Sequence, residues 1–232
     1  MWKFLVALGV GVSISGCTIV SSDVASFDLD LPPKAFSVDA NGWQVRQADA
    51  ALFLQLPCAS SPNVCSSGLK NVCPMNCTGS CNSTTSTCDL HLEINVHRMV
   101  DVLTEQPQLA SVADQSVIQV SIDRVTYEVT ANTLDTATAD MQVYIAPMSV
   151  TDTGDAAIKH IATIPSIPAQ TTVVAADLAY TPTGKKTLSD AMGNFKTPFN
   201  IIVGSALDVS AGQSVPSGKL DASVRIRARA SL

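Results

Sequence analysis

Basic charge, long apolar runs and catalytic signatures are all scarce in this chain, and each shortage removes a class of function. Of 232 residues, 14 are Lys or Arg against 20 Asp or Glu. Nucleic acid and anionic bilayers, as general partners, call for the opposite balance. No apolar run reaches the about 20 residues that a helix needs to cross a bilayer. The C-x-x-C pair that tightens many metal sites is missing, and no catalytic or cofactor motif stands out. No cofactor and no metal is expected, and the leading expectation is a protein that is not an enzyme.

What is present begins at the amino terminus. Lys3 supplies one positive charge, Phe4 to Val12 an apolar run, and Ser13-Ile14-Ser15-Gly16-Cys17 a stretch of mostly small residues. That order is the pattern of an export signal. The four residues Ile14-Ser15-Gly16-Cys17 resemble a lipobox, the recognition sequence of bacterial lipoproteins. The resemblance implies lipidation of the Cys17 sulfur, cleavage before Cys17 and acylation of its new amino group. Small Ser15 and Gly16 let the backbone enter the peptidase, and the thiol supplies the nucleophile. Diacylglycerol on the sulfur and one acyl group on the nitrogen would make three chains, more than the two signals that stable membrane anchoring needs. Thr18 is not the Asp that retains many lipoproteins at the inner membrane, so the resemblance implies the bacterial outer membrane, on its periplasmic or surface side. The expected organisation is a signal peptide over 1–16, a lipidated tether over 17–26 and a β domain over 27–232. Removing the signal leaves 232 − 16 = 216 residues, with 13 basic and 20 acidic side chains, a net charge of 13 − 20 = −7.

Besides Cys17, six cysteines fall within residues 58–88: Cys58, Cys65, Cys73, Cys77, Cys81 and Cys88. An even number in an exported chain points to disulfides. Their surroundings are small and polar, so bridges would order a cysteine-rich insertion that has little apolar core of its own. Six cysteines allow about 15 pairings, and spacing does not choose among them. A metal site built from Cys73, Cys77, Cys81 and His91 is the competing reading.

Elsewhere the period is two. Phe27, Leu29 and Leu31 alternate with Asp28 and Asp30 before Pro32-Pro33, which reads as a strand with a stop. Asn41-Gly42 reads as a hairpin turn between 35–38 and 43–45. The stretch 44–56 favours a helix ended by Pro57. Leu92, Ile94 and Val96 mark a strand; Val120 and Ile122, then Val125, Tyr127 and Val129, mark another whose parity shifts at Asp123-Arg124, as at a bulge. Further strands are expected over 141–145, 173–178, 199–203 and 220–229, with a helix over 185–195. Many short alternating segments separated by Pro, Gly and Asn indicate an antiparallel β-sandwich.

The segment Val125-Thr126-Tyr127-Glu128-Val129 with Asn132, and the later Ile164-Pro165-Ser166-Ile167-Pro168-Ala169, resemble the β-sandwich of water-stress and hypersensitive-response domains. The Asn-Pro that follows the first strand in that domain is absent here. The resemblance implies a fold and carries no chemistry.

Individual candidates are few. Asp152-Thr153-Gly154 matches an aspartic-protease triplet, but a second triplet is missing and Asp155 follows, so a solvated turn is expected. Ser67-Gly68-Leu69-Lys70 has the Ser-x-x-Lys spacing without its partner motifs. His91 and His97, with Glu93 between them, would share a strand face about 20 Å apart, too far for one ion. His160 has no partner in sequence. These histidines read as polar-face residues. Arg225, Arg227 and Arg229 lie on one face of the last strand, where they could bind an anion such as a phosphate or a carboxylate-rich polymer. A matching row of Asp on a neighbouring strand would instead make them structural. The expected function is a non-catalytic binding or structural lipoprotein contacting an envelope protein or polymer; the alternative is an enzyme acting on envelope or extracellular material.

Overall fold

A computed structural model describes residues 26–61, 63–112 and 119–231. The signal segment, the Cys17 lipidation site and all of the tether but Ser26 lie outside the described residues. Among the described residues no helix is long and apolar enough to cross a membrane.

The strands are β1 (Ser26–Asp30), β2 (Lys34–Asp39), β3 (Cys77–Asn82), β4 (Thr87–Val100), β5 (Gln119–Asn132), β6 (Met141–Pro147), β7 (Lys159–Ile164), β8 (Val173–Asp177), β9 (Ala179–Tyr180), β10 (Phe199–Val209) and β11 (Lys219–Ser231). The helices are short: α1 (Gln47–Phe53), α2 (Asn63–Gly68), α3 (Val102–Glu105) and α4 (Gly184–Gly193). The chain is mainly β, as its alternating pattern requires, and every strand pairing is antiparallel.

Two sheets form the sandwich. In sheet A, β11 pairs on one side with β1 and then β2, and on the other with β5, which carries β8. Pro32-Pro33 breaks what would be one strand into two, because proline cannot donate to the ladder. The chain stays on course through Leu31, whose N–H donates to Ile226 O at 3.1 Å. Sheet B runs β3-β4-β10-β6-β7-β9.

The inner faces share one core. Leu29, Ile122, Val125, Tyr127, Val224 and Ile226 of sheet A meet Leu90, Leu92, Ile94, Val143, Ile201 and Val203 of sheet B, all buried. The parity shift in β5 is a bulge: Arg124 faces Arg227 and Ile122 faces Ala228, which leaves Asp123 as the extra residue. One end of the sandwich is closed by α4, which packs on β5 and β7 and buries Leu188 and Met192.

The Asn41-Gly42 hairpin does not form. Residues Ala40–Trp43 make a 3-10 turn in which the Asp39 carboxylate accepts the Asn41 N–H at 2.9 Å. Gln44 then takes a left-handed φ of 54°. Trp43 is buried and its Nε1 donates to Glu93 O at 2.8 Å. Burying a large indole with its N–H satisfied outweighs a local turn preference. The helix expected over 44–56 is α1, with Ala50 and Phe53 on its buried face.

Three disulfides order the segment 58–88: Cys58–Cys81, Cys65–Cys88 and Cys73–Cys77. Cys81 and Cys88 face each other across the β3–β4 ladder, and each reaches back 23 residues. The disulfide reading is the one the structure shows, with Cys73, Cys77 and Cys81 all held in bridges. Sulfurs of Cys58, Cys65 and Cys88 lie within 4.8 Å of one another because two bridges stack, not because they ligate. A Cβ on Gly79 would come within 2.8 Å of the Phe53 ring and 2.9 Å of Cys65 O, so only glycine lets α1 and α2 pack this closely on β3.

Candidate functional site

The three arginines of β11 leave the core, as their alternation with buried Val224, Ile226 and Ala228 demands. Beside them, on β1, stands an acidic row in register: Asp28 opposite Arg229 and Asp30 opposite Arg227. Arg229 Nε lies 3.3 Å from Asp28 and its Nη2 3.8 Å from Asp123, the bulge residue; Arg227 Nε lies 3.7 Å from Asp30. On β5, Arg124 pairs with Asp177 of β8. That contact holds the Asp177 carboxyl below its ordinary range and raises Arg124. These pairs are exposed, so water and salt screen them and they add little to stability. Their main effect is to settle charge on the outer face of sheet A.

Arg225 is different. Among the described residues it has no ion pair, and it sits opposite Thr126 in the ladder. Two positions toward the bulge, on the same face, Arg227 opposes Arg124, an arrangement of like charges that costs free energy without anions close by; Asp30 and Asp177 serve these two. These three guanidiniums, with Thr126, Ser223 and Glu128, line a surface depression of about 240 Å³. Its donors are those that bind a carboxylate or phosphate in two-pronged fashion.

The outer face of sheet B carries a second constellation. His91 on β4 stands opposite Asp208 on β10, and its Nδ1 lies 2.6 Å from Asp208 Oδ1. Its Nε2 lies 2.6 Å from Ser80 Oγ on β3, diagonally across the ladder. An ionised carboxylate only accepts, so Nδ1 carries a proton, and in the neutral ring Nε2 then offers its lone pair to the serine O–H. The His91 side chain is 28% exposed and that of Asp208 68%.

His91 stands on a polar face, as expected of it, and is in addition joined to two partners. His97 is exposed on β4 opposite Ile202. The His160 ring nitrogen Nε2 donates to Ala162 O at 2.9 Å. Asp152-Thr153-Gly154 is a turn, with the Gly154 N–H bound to Asp152 Oδ1 at 2.9 Å. A Cβ on Gly204 would come within 2.3 Å of the Thr153 methyl, so this loop lies against the outer face of sheet B. Ser67 Oγ donates to Val64 O at 3.1 Å within α2.

Arg124, Ser80 and Asp208 were not singled out by sequence. Ser80 lies in the cysteine segment, whose polar composition hides a strand. Asp208 follows an apolar run whose continuation at Leu207 and Val209 keeps strand parity and so puts residue 208 on the outer face. Their meeting at His91 depends on β4 having β3 and β10 as neighbours, which no local pattern states. Comparisons of the chain with protein families, curated proteins and solved structures return no match.

Proposed function

We propose that this chain is a lipid-anchored binding protein of the bacterial envelope, held at the outer membrane through Cys17, that grips an anionic group of an envelope protein or polymer. The observation carrying the binding half is Arg225: a guanidinium with no ion pair among the described residues, in a depression beside two opposed arginines, on a face where the other β11 arginines each have a carboxylate. Three disulfides support an oxidising compartment, and the lipobox supports the anchor. A second class, an enzyme acting on envelope or extracellular material, is favoured by the Ser80–His91–Asp208 constellation.

The binding half is tested with the mature chain and two vesicle preparations, one bearing lipopolysaccharide and one of neutral phosphatidylcholine. Preference for the phosphate-rich vesicles, weakened at least tenfold in Arg225→Ala and much less in Arg229→Ala, is expected. Equal binding by Arg225→Ala and the parent protein would remove the assignment. The anchor is tested by intact mass: membrane-extracted protein should begin at an acylated Cys17, and an unmodified Cys17 thiol would overturn it.

A further inference from the structure

We propose that Ser80 is a base-activated nucleophile that accepts acyl groups from activated esters, with His91 as its general base and Asp208 as a positioning residue that fixes the His91 tautomer. The proposal is independent of the Arg225 assignment, which lies on the other sheet.

Three observations carry it. The two hydrogen bonds, Ser80 Oγ to His91 Nε2 and His91 Nδ1 to Asp208 Oδ1, are each 2.6 Å and use opposite nitrogens of one ring. That is the connectivity by which a serine gains a base and the base gains an orienting carboxylate, a relationship defined by geometry and role rather than by fold. The three residues also stand on three adjacent strands, β3, β4 and β10, whose ladders run unbroken through their positions. Sites carried on paired strands are held more closely than sites on loops. Finally, Ser80 is exposed, so an acyl donor reaches its oxygen without displacing any part of the fold.

The substrate class follows from what surrounds the serine. It stands on an open strand face, and with Asp208 68% exposed, water screens the relay. Charge developing on a carbonyl oxygen there is stabilised mainly by solvent, so the donor must bring an easily expelled leaving group, as in an aryl ester. In the acylation step a bond forms between Ser80 Oγ and the carbonyl carbon, and the bond from that carbon to the aryl oxygen breaks. The Ser80 proton passes to His91 Nε2 and then to the departing aryl oxide. Water completes the cycle: it attacks the acyl carbon, gives a proton to His91, and releases the carboxylic acid as the proton returns to Ser80.

The test treats the mature disulfide-bonded chain with a fluorophosphonate probe, which loses fluoride to a serine, and with p-nitrophenyl acetate. One probe per chain on the peptide containing Ser80 is expected, with no label in Ser80→Ala. His91→Gln should slow labelling about 100-fold or more, the scale of a positioned general base. Asp208→Asn should slow it at least tenfold, and Asp208→Glu should recover part of the rate. Both Asp208 variants should keep the parent's circular dichroism and urea midpoint. Absence of label, label on other residues only, or p-nitrophenolate release unchanged in Ser80→Ala would each overturn the proposal and mark the constellation as a surface hydrogen-bond ladder.

Discussion

Asn132 Nδ2 donates to Pro168 O at 3.0 Å, tying the end of β5 to a loop 36 residues away. The same amide nitrogen reaches Thr171 O at 3.1 Å, and Asn132 Oδ1 accepts the Leu134 N–H at 3.0 Å. The side chain is buried at 9% exposure, so these bonds replace water. Asn132→Ala would orphan the Thr171 carbonyl and the Leu134 N–H, each costing about 1–3 kcal/mol if it stays dry, and would leave Pro168 O with only the Thr171 N–H at 3.3 Å. Partial access of water to the loop lowers the sum, and a loss of about 2–4 kcal/mol in urea unfolding is expected. A loss below about 0.5 kcal/mol would show that the loop is not held by this residue.

The register of β11 yields a paired prediction. Val224 is 2% exposed and faces the core, whereas Arg227 faces solvent with Asp30 at 3.7 Å. Val224→Asp places a carboxylate among apolar side chains and should leave the domain largely unfolded. Arg227→Ser removes only an exposed pair and should change stability by less than about 0.5 kcal/mol. Circular dichroism and urea midpoints of the two variants are the check, and equal losses would mean that the strand's faces are assigned the wrong way round.

Much of this fold was legible in sequence because burial imposes parity. The alternation of Leu220, Val224 and Ile226 identified β11 and its outward arginines, and the parity change at Asp123-Arg124 marked the bulge before any partner strand was known. What failed was local chemistry overridden by distant packing. Asn41-Gly42 favours a hairpin, but the strand that would follow it holds Trp43, which gains more by entering the core against β4. The cysteine pairing was open for a related reason: Cys81 and Cys88 stand opposite one another yet bond elsewhere, and only the position of α2 on β3 decides the partners. The Ser80–His91–Asp208 meeting had no local signal because it spans three strands and a separation of 117 residues.

Tyr180 gives a stability that depends on pH. Its hydroxyl oxygen is buried without a hydrogen-bond partner. Burial, aided by the negative charge of Asp177, pushes its pKa up to about 12 from 10.0. Since the folded value lies above the unfolded one, the contribution is fully present below pH about 10 and is lost as pH rises to about 12. Tyr180→Phe lacks this titration, so its stability relative to the parent should rise across that window. At pH 7 the variant should match or slightly exceed the parent, because an orphaned hydroxyl is removed. Urea melts of both proteins between pH 8 and 12 test this, and parallel pH profiles would exclude it.

The disulfides should be unequal. Cys65–Cys88 closes a 23-residue separation and both cysteines are fully buried in the common core, while Cys73–Cys77 closes only four residues. Restriction of the unfolded chain is worth about 3 kcal/mol for the longer loop and about 2 kcal/mol for the shorter. Loss of packing around two buried sulfurs adds to the first figure. The double variant Cys65→Ala with Cys88→Ala should therefore cost clearly more than Cys73→Ala with Cys77→Ala. Reduction of the parent protein should release α2 and β3, whose neighbours on one side are the bridges themselves, before β4, which β10 holds along eleven register positions. Hydrogen exchange on reduced and oxidised protein separates the two regions. Alkylation of the unreduced chain should find no free thiol among the six cysteines, and six reactive thiols appearing only after treatment with a chelator would restore the metal site in place of the bridges.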